Sequence, residues 1–188
     1  MDLLRRARTT AKNQLATSLP LRWAHVQGVD RKAAVAASLF SVDEAELLGA
    51  AAVLHDIGYA PRLSSFGFHP LDGARFLEEC SFSERLCALV AHHSCAYVEA
   101  ELRGFSVKLA KWEDEMSPLR DALWWADMTT TPSGEPTNVL DRIEEIQKRY
   151  GPEDLVTFFI RQAKPELVAA VERTEERLRS VGIDYTAK

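Results

Sequence analysis

The five histidines of this chain and two of its aspartates fall in the order His25, His55-Asp56, His69, His92-His93, Asp127. Imidazole and carboxylate together are the usual ligands of Mn²⁺, Fe²⁺, Co²⁺, Ni²⁺, Zn²⁺ or Mg²⁺ in a site that keeps a position open for water or substrate. A site of that kind hydrolyses esters, or, with a redox metal, activates oxygen. No histidine is left over for the surface.

The positions of these residues in apolar patterns suggest which of them face inward. His55 follows Leu48 and Ala52 at helical spacing, and Asp56 comes at the helix end beside Gly58. Asp127 stands three and four residues after Trp124 and Leu123, and His25 flanks the stripe of Val26 and Val29. Any one of these could be a satisfied core histidine or a capping aspartate. Four such groups from three helices are better explained by a cation, because a buried aspartate without a partner is heavily penalised. His69 precedes Pro70 at a loop-to-helix junction, where an N-cap is the plainer reading. His92 and His93 lie about 100° apart on a helix, so one at most faces the core. Spacing from Leu86, Leu89 and Val90 favours His93.

The elements that position them are all helical. Leu3 to Leu15 reads as a polar helix, and Pro20 opens a second one running to about Phe40. Ser41-Val-Asp-Glu44 is a capping box for a third, with Gly58 as its C′ residue. Pro61 to Phe68 is a loop, and Pro70 to Cys80 a short helix. Ser81-Phe-Ser-Glu84 repeats the capping box and opens Glu84 to His93. The stretch from Gly104 to Glu115 has no clear period. Ser117-Pro118 starts a helix through Asp127, Thr129 to Pro136 is a loop, and Thr137 caps a helix with Glu144/Lys148 and Glu145/Arg149 pairs. Gly151-Pro152 precedes a last helical region, expected to bend near Pro165. No segment alternates as a strand does, so the fold class is all-α. We expect a single domain over residues 1–188, with a metal-binding core at 21–130 and a helical extension at 137–181.

Composition narrows the partners. A chain of 188 residues with 46% hydrophobic content can bury a core, and its net charge of −5 argues against bulk nucleic acid. Arg5, Arg6, Arg8 and Lys12 read as a solvated helix face. A single nucleotide stays possible, since a metal supplies positive charge. Cys80, Cys87 and Cys95 form no C-x-x-C and read as buried thiols in a reducing cytosol. Neither a signal peptide nor an apolar run of about 20 residues occurs, so the expected setting is cytoplasmic, away from membranes.

The order His25, His55-Asp56, Asp127 resembles the H…HD…D signature of the HD-domain metal-dependent phosphohydrolases. Ala51-Ala-Val-Leu-His-Asp-Ile-Gly58 is similar to that family's "LLHDIG" segment, and Trp124-Trp-Ala-Asp127 to the segment carrying its last ligand. The likeness spans Leu21 to Thr130. His69-Pro-Leu-Asp-Gly-Ala, with Val90-Ala-His-His-Ser94, further resembles the two-metal HD hydrolases, which include bacterial dinucleoside tetraphosphatases. The threonines that follow the histidine there are Ser94-Cys95-Ala96 here. The chain also lacks the Gly-Tyr-Pro segment of the cyclic-dinucleotide phosphodiesterases.

The resemblance implies a compact helical bundle holding one or two divalent metal ions on His25, His55, Asp56, Asp127, His69 and His92. Here the family alignment points to His92 where periodicity points to His93. Asp56 bridges the metals, and Asp56 and His93 take the catalytic roles. Arg62 and Arg103 are candidates to neutralise the remaining phosphate charge, against the plainer reading of surface arginines. The implied function is hydrolysis of a nucleotide or another small phosphate ester by a metal-activated water. Two alternatives use the same ligands: a two-iron HD-domain oxygenase, and a nucleotide-binding module without turnover.

Overall fold

The computed structural model describes residues 2–185, and its regular structure is helical. Ten α-helices follow one another in the described residues: α1 (Leu3–Leu15), α2 (Pro20–Ala36), α3 (Val42–Leu54), α4 (His69–Glu79), α5 (Glu84–Ala91), α6 (Ala96–Leu102), α7 (Ser106–Leu109), α8 (Pro118–Met128), α9 (Val139–Tyr150) and α10 (Leu155–Ser180). Short 3-10 turns at Ala37–Leu39, Ile57–Tyr59 and His93–Cys95 join some of them. Thr130 and Pro136 form an isolated antiparallel bridge that closes the loop between α8 and α9. No described helix is long and apolar enough to cross a membrane.

The core is centred on α3 and α8. Every residue of α3 from Leu47 to Leu54 is buried, as is every residue of α8 from Leu119 to Met128. A helix apolar all round must be surrounded. Accordingly α1, α2, α5 and α8 pack on α3, while α2, α3, α9 and α10 pack on α8. Two of the helices that end in candidate ligands, α3 and α8, are thus the two held from most sides.

Several boundaries differ from the sequence expectation, each for a local reason. Ser81 does not cap α5; it takes a left-handed φ of 57°, and Ser83 accepts from the Leu86 amide instead. Asn138 caps α9 in place of Thr137, accepting from the Asp141 amide. The period-free stretch after Gly104 holds α7. Pro165, where a bend is expected, lies inside α10. Gly58 is no C′ residue, because α3 ends before it and it sits in the Ile57–Tyr59 turn. A Cβ there would lie 2.0 Å from the His69 carbonyl oxygen, so glycine is required by the close approach of α4.

Candidate metal centre

His25 projects from the second turn of α2, and His55-Asp56 follow the last residue of α3. His69 opens α4, His93 follows the end of α5, and Asp127 sits in the last turn of α8. The side chains converge. His25, His55 and Asp56 offer ligand atoms within 4.8 Å of one another, and so do Asp56, His69 and His93. Asp56 belongs to both groups through different oxygens. Its Oδ2 lies 3.3 Å from His55 Nε2 and 3.7 Å from His25 Nε2, while its Oδ1 lies 3.4 Å from His69 Nε2 and 3.8 Å from His93 Nε2. Asp127 joins the first group, with Oδ1 at 3.1 Å from His25 Nε2 and 3.9 Å from His55 Nε2.

These spacings suit a cation. Ligands at 2.0–2.2 Å from a common ion stand about 2.8 to 3.6 Å apart in octahedral or tetrahedral arrangement. The observed values lie within or slightly beyond that range, so small inward movements would close the sites.

Tautomers point the same way. His55 Nδ1 donates to the Ala52 carbonyl at 2.7 Å, and His93 Nδ1 to that of Val90 at 2.7 Å. His25 Nδ1 donates to Thr131 O at 2.9 Å. In the neutral ring each Nε2 then carries a lone pair turned toward the cluster, as in ligating histidines whose other nitrogen is anchored. His55 Nε2 is fully buried and makes no hydrogen bond, although Asp56 is close. A lone pair on His25 facing the Asp127 carboxylate is repulsive unless a proton or a metal lies between them.

Without metal, charge in the cluster is balanced by protons and by Arg22. Burial works against ionisation throughout. Even so, Arg22 and His55 hold the Asp56 carboxyl well below its usual range, and the hydrogen bond from His25 with the charge of His55 does the same for Asp127. Burial pulls the His55 imidazole down, but Asp56 and Asp127 outweigh it and push the group up to about 9. His69 and His93 go the other way. Burial lowers both, and the neighbouring imidazoles add to it. The two halves of the cluster therefore differ: one holds a proton that a metal must displace, and the other is already neutral.

Three residues of the centre escape a search for ligand types alone. Arg22 donates to Asp56 Oδ2 at 2.6 Å and lies over the Tyr59 ring, 4.1 Å from its centroid. Tyr59 in turn stacks on His69 at 3.9 Å between centroids. Arg22 could have been found, being one helical turn before His25 on the same face. Ser94 donates its hydroxyl to Asp127 Oδ2. It and Cys95 take left-handed φ values of 47° and 60°, which non-glycine residues adopt at a cost of order 1–3 kcal/mol each. This reversal after α5 turns His93 toward Asp56 and Ser94 toward Asp127.

Two sequence expectations need correction. The second group contains His93, not His92. The latter turns away, its Nε2 donating to the Trp112 carbonyl at 2.7 Å, because α5 ends at Ala91 and the chain reverses just after. Arg62 is exposed in the turn that follows Tyr59 and does not border the cavity beside the cluster. Arg103 does border it, paired with the buried Glu99 at 2.6 Å.

That cavity measures about 240 Å³, with Asp56, His69, His93 and Asp127 on one side. Its remaining walls come partly from beyond the loop of Thr129 to Pro136. The region expected to be a mere extension contributes Arg142 and Tyr150 of α9 and Phe159 of α10.

No curated protein and no solved structure matches this chain. The family model described as HD domain matches residues 22–146, two thirds of the chain, reaching from Arg22 into α9. Its match takes in Arg22, the five histidines, Asp56 and Asp127, and a His/Asp cluster of this kind is compatible with divalent metal. The chain belongs to the HD domain family, whose members are generally metal-dependent hydrolases.

Proposed function

We propose that this protein is a phosphohydrolase that cleaves a small phosphate ester, of mononucleotide size or less, at two divalent metal ions. The observation that carries the reading is Asp56, whose two oxygens face two separate ligand groups at the side of one cavity. His25, His55, Asp56 and Asp127 would hold one ion, and Asp56, His69 and His93 the other. The metals would supply Lewis acidity toward the phosphoryl oxygens and a water acidic enough to deprotonate near neutral pH.

The chain's own residues fix and tune that arrangement. Asp127 is held by Ser94 and His25, so its free lone pairs keep one direction. Tyr59 fixes the plane of His69 by stacking, and the carbonyls of Ala52, Val90 and Thr131 fix three imidazoles. Arg22 keeps Asp56 ionised and places a guanidinium where a phosphoryl group would meet the cluster. Arg103 brings a second guanidinium to the cavity, and Phe159 and Tyr150 limit its width. At about 240 Å³ the space falls below the roughly 300–1,000 Å³ of sites for drug-sized ligands, which favours a small ester over a dinucleotide.

The test is turnover under nitrogen with Mn²⁺, Co²⁺ or Ni²⁺ as the only added metal. Phosphate should be released from nucleoside monophosphates or other small phosphate esters. Strict dependence on iron and oxygen, with no phosphate released from any ester tried, would replace the reading with a two-iron oxygenase. Tight nucleotide binding without turnover would make the protein a binding module.

A further inference from the structure

The α9 wall of the cavity holds positive charge that the metal cluster does not use. Arg142 is buried, only 4% exposed, and lines the cavity. Its one ion-pair partner among the described residues is Glu145, and its Nε is buried with no hydrogen-bond partner. Arg149, two turns further along the same face, also lines the cavity and shares that carboxylate, its Nε at 3.3 Å from Glu145 Oε1. One carboxylate thus serves two guanidinium groups, leaving about one positive charge in excess. Neither arginine pairs with Asp56 or Asp127, whose partners are Arg22, Ser94 and the histidines.

A guanidinium withdrawn from water with an unused N–H is unfavourable unless something accepts from it. The buried Arg120, whose Nε likewise lacks a partner, has three carboxylates around its charge, those of Asp114, Asp121 and Glu166. Arg142 has only Glu145, itself drawn on by Arg149, and it faces a cavity. The planar fork of its donors matches the oxygens of a phosphate or a carboxylate.

We infer that Arg142, with Arg149, binds a second anionic group of the substrate, apart from the phosphoryl group at the metals. Resting on the phosphohydrolase reading, this narrows the substrate class to phosphate esters that carry a further phosphate or carboxylate. Arg142 is then a specificity-determining residue.

The experiment titrates metal-depleted and Mn²⁺-loaded protein with inorganic phosphate in a calorimeter. Metal-depleted protein should bind one phosphate per chain, at α9, and loaded protein two. Arg142→Gln should weaken the metal-independent site about tenfold or more, the scale of one charge-assisted contact, leaving a single phosphate on the loaded chain. Arg149→Gln, more exposed and safer for the fold, should weaken the same site several-fold. Circular dichroism confirms that helix content is kept. Repeating the titration with acetate distinguishes the two anions: comparable binding assigns a carboxylate, and none assigns a phosphate.

The inference is overturned if metal-depleted protein binds no phosphate, or if neither variant changes the binding. It is equally overturned if loaded protein binds a single phosphate, more tightly than depleted protein does, and Arg142→Gln weakens it, since one anion would then reach both the metals and α9. If instead loaded protein binds only the phosphate that depleted protein also binds, the α9 site stands and the phosphohydrolase reading fails.

Discussion

Among the described residues, Asp56 is the one whose two oxygens face different sets of histidines, so its loss should be felt in both. Asp56→Ala is expected to lower metal content from about two ions per chain to less than one by elemental analysis, and to abolish hydrolysis. The side chain follows the end of α3, so helix content should hold; full metal occupancy in the variant would refute its role as a bridge. The adjacent histidines allow a sharper comparison. His93→Ala should reduce stoichiometry from about two toward one, because His93 Nε2 faces Asp56 Oδ1. His92→Ala should keep both ions and instead lower stability by roughly 1–2 kcal/mol, through loss of the buried bond to the Trp112 carbonyl. Denaturant unfolding and metal analysis on the two variants separate these outcomes, and metal loss in His92→Ala alone would reverse the assignment. Which of the two faces inward was partly legible. Apolar spacing from Leu86, Leu89 and Val90 picks out His93, whereas matching short segments picks out its neighbour. What neither reading contains is the left-handed pair Ser94-Cys95, a backbone reversal between ordinary-looking residues that fixes where His93 goes.

At the scale of elements, ligand placement depends on how closely the α8–α9 loop approaches α2. A Cβ on Gly28 would meet the Gly134 carbonyl oxygen at 2.5 Å and the Thr130 methyl at 2.6 Å. Gly134, at φ 87°, itself approaches the Ala24 carbonyl, and Arg31 of α2 donates to Gly134 O at 2.8 Å. The same loop presents the Thr131 carbonyl to His25 Nδ1. Gly28→Ala should therefore push the loop from α2, cost about 1–3 kcal/mol as overpacking does, and free the His25 ring. Metal affinity should fall with stability even though no ligand is altered. A variant as stable as the parent and binding metal equally well would show that the loop does not hold His25. Such couplings explain what was and was not legible. Helices α1 to α3 and α8 follow from apolar period and from caps such as Ser41 and Ser117, which are local signals. The part played by α9 and α10 in the cavity is long-range: nothing near Arg142 or Phe159 in the chain says that they will face Asp56. Gly58 carried a misleading local signal, because its need for a missing side chain comes from α4 and not from a helix end.

For the whole molecule, the cluster draws on α2, the ends of α3 and α5, the start of α4, and α8, so a metal held there would act as a cross-link of the fold. Binding to the folded state alone stabilises it by RT ln(1 + [L]/Kd), about 2.7 kcal/mol at one hundred times Kd. For a chain of this size that raises Tm by about 5–10 °C. The pH dependence follows from His55, which is pushed up to about 9 in the metal-free fold from an ordinary value of 6.5. A folded-state pKa above the unfolded one means that protonation stabilises the metal-free fold below about 6.5, and that this contribution is lost as pH rises through about 9. Metal needs the same nitrogen deprotonated, so its affinity should increase over the same interval. His69 and His93, lowered by burial, are already neutral and add no such dependence there. The two effects have opposite signs. Between pH 6.5 and 9, Tm of the metal-free protein should fall while the increment caused by a fixed concentration of Ni²⁺ or Co²⁺ grows. His55→Gln should flatten the first trend and remove most of the second. Scanning calorimetry at several pH values, with and without metal, measures both together. A metal increment that shrinks as pH rises would mean that the proton on His55 does not compete with the ion, and the first ligand group would have to be drawn without His55.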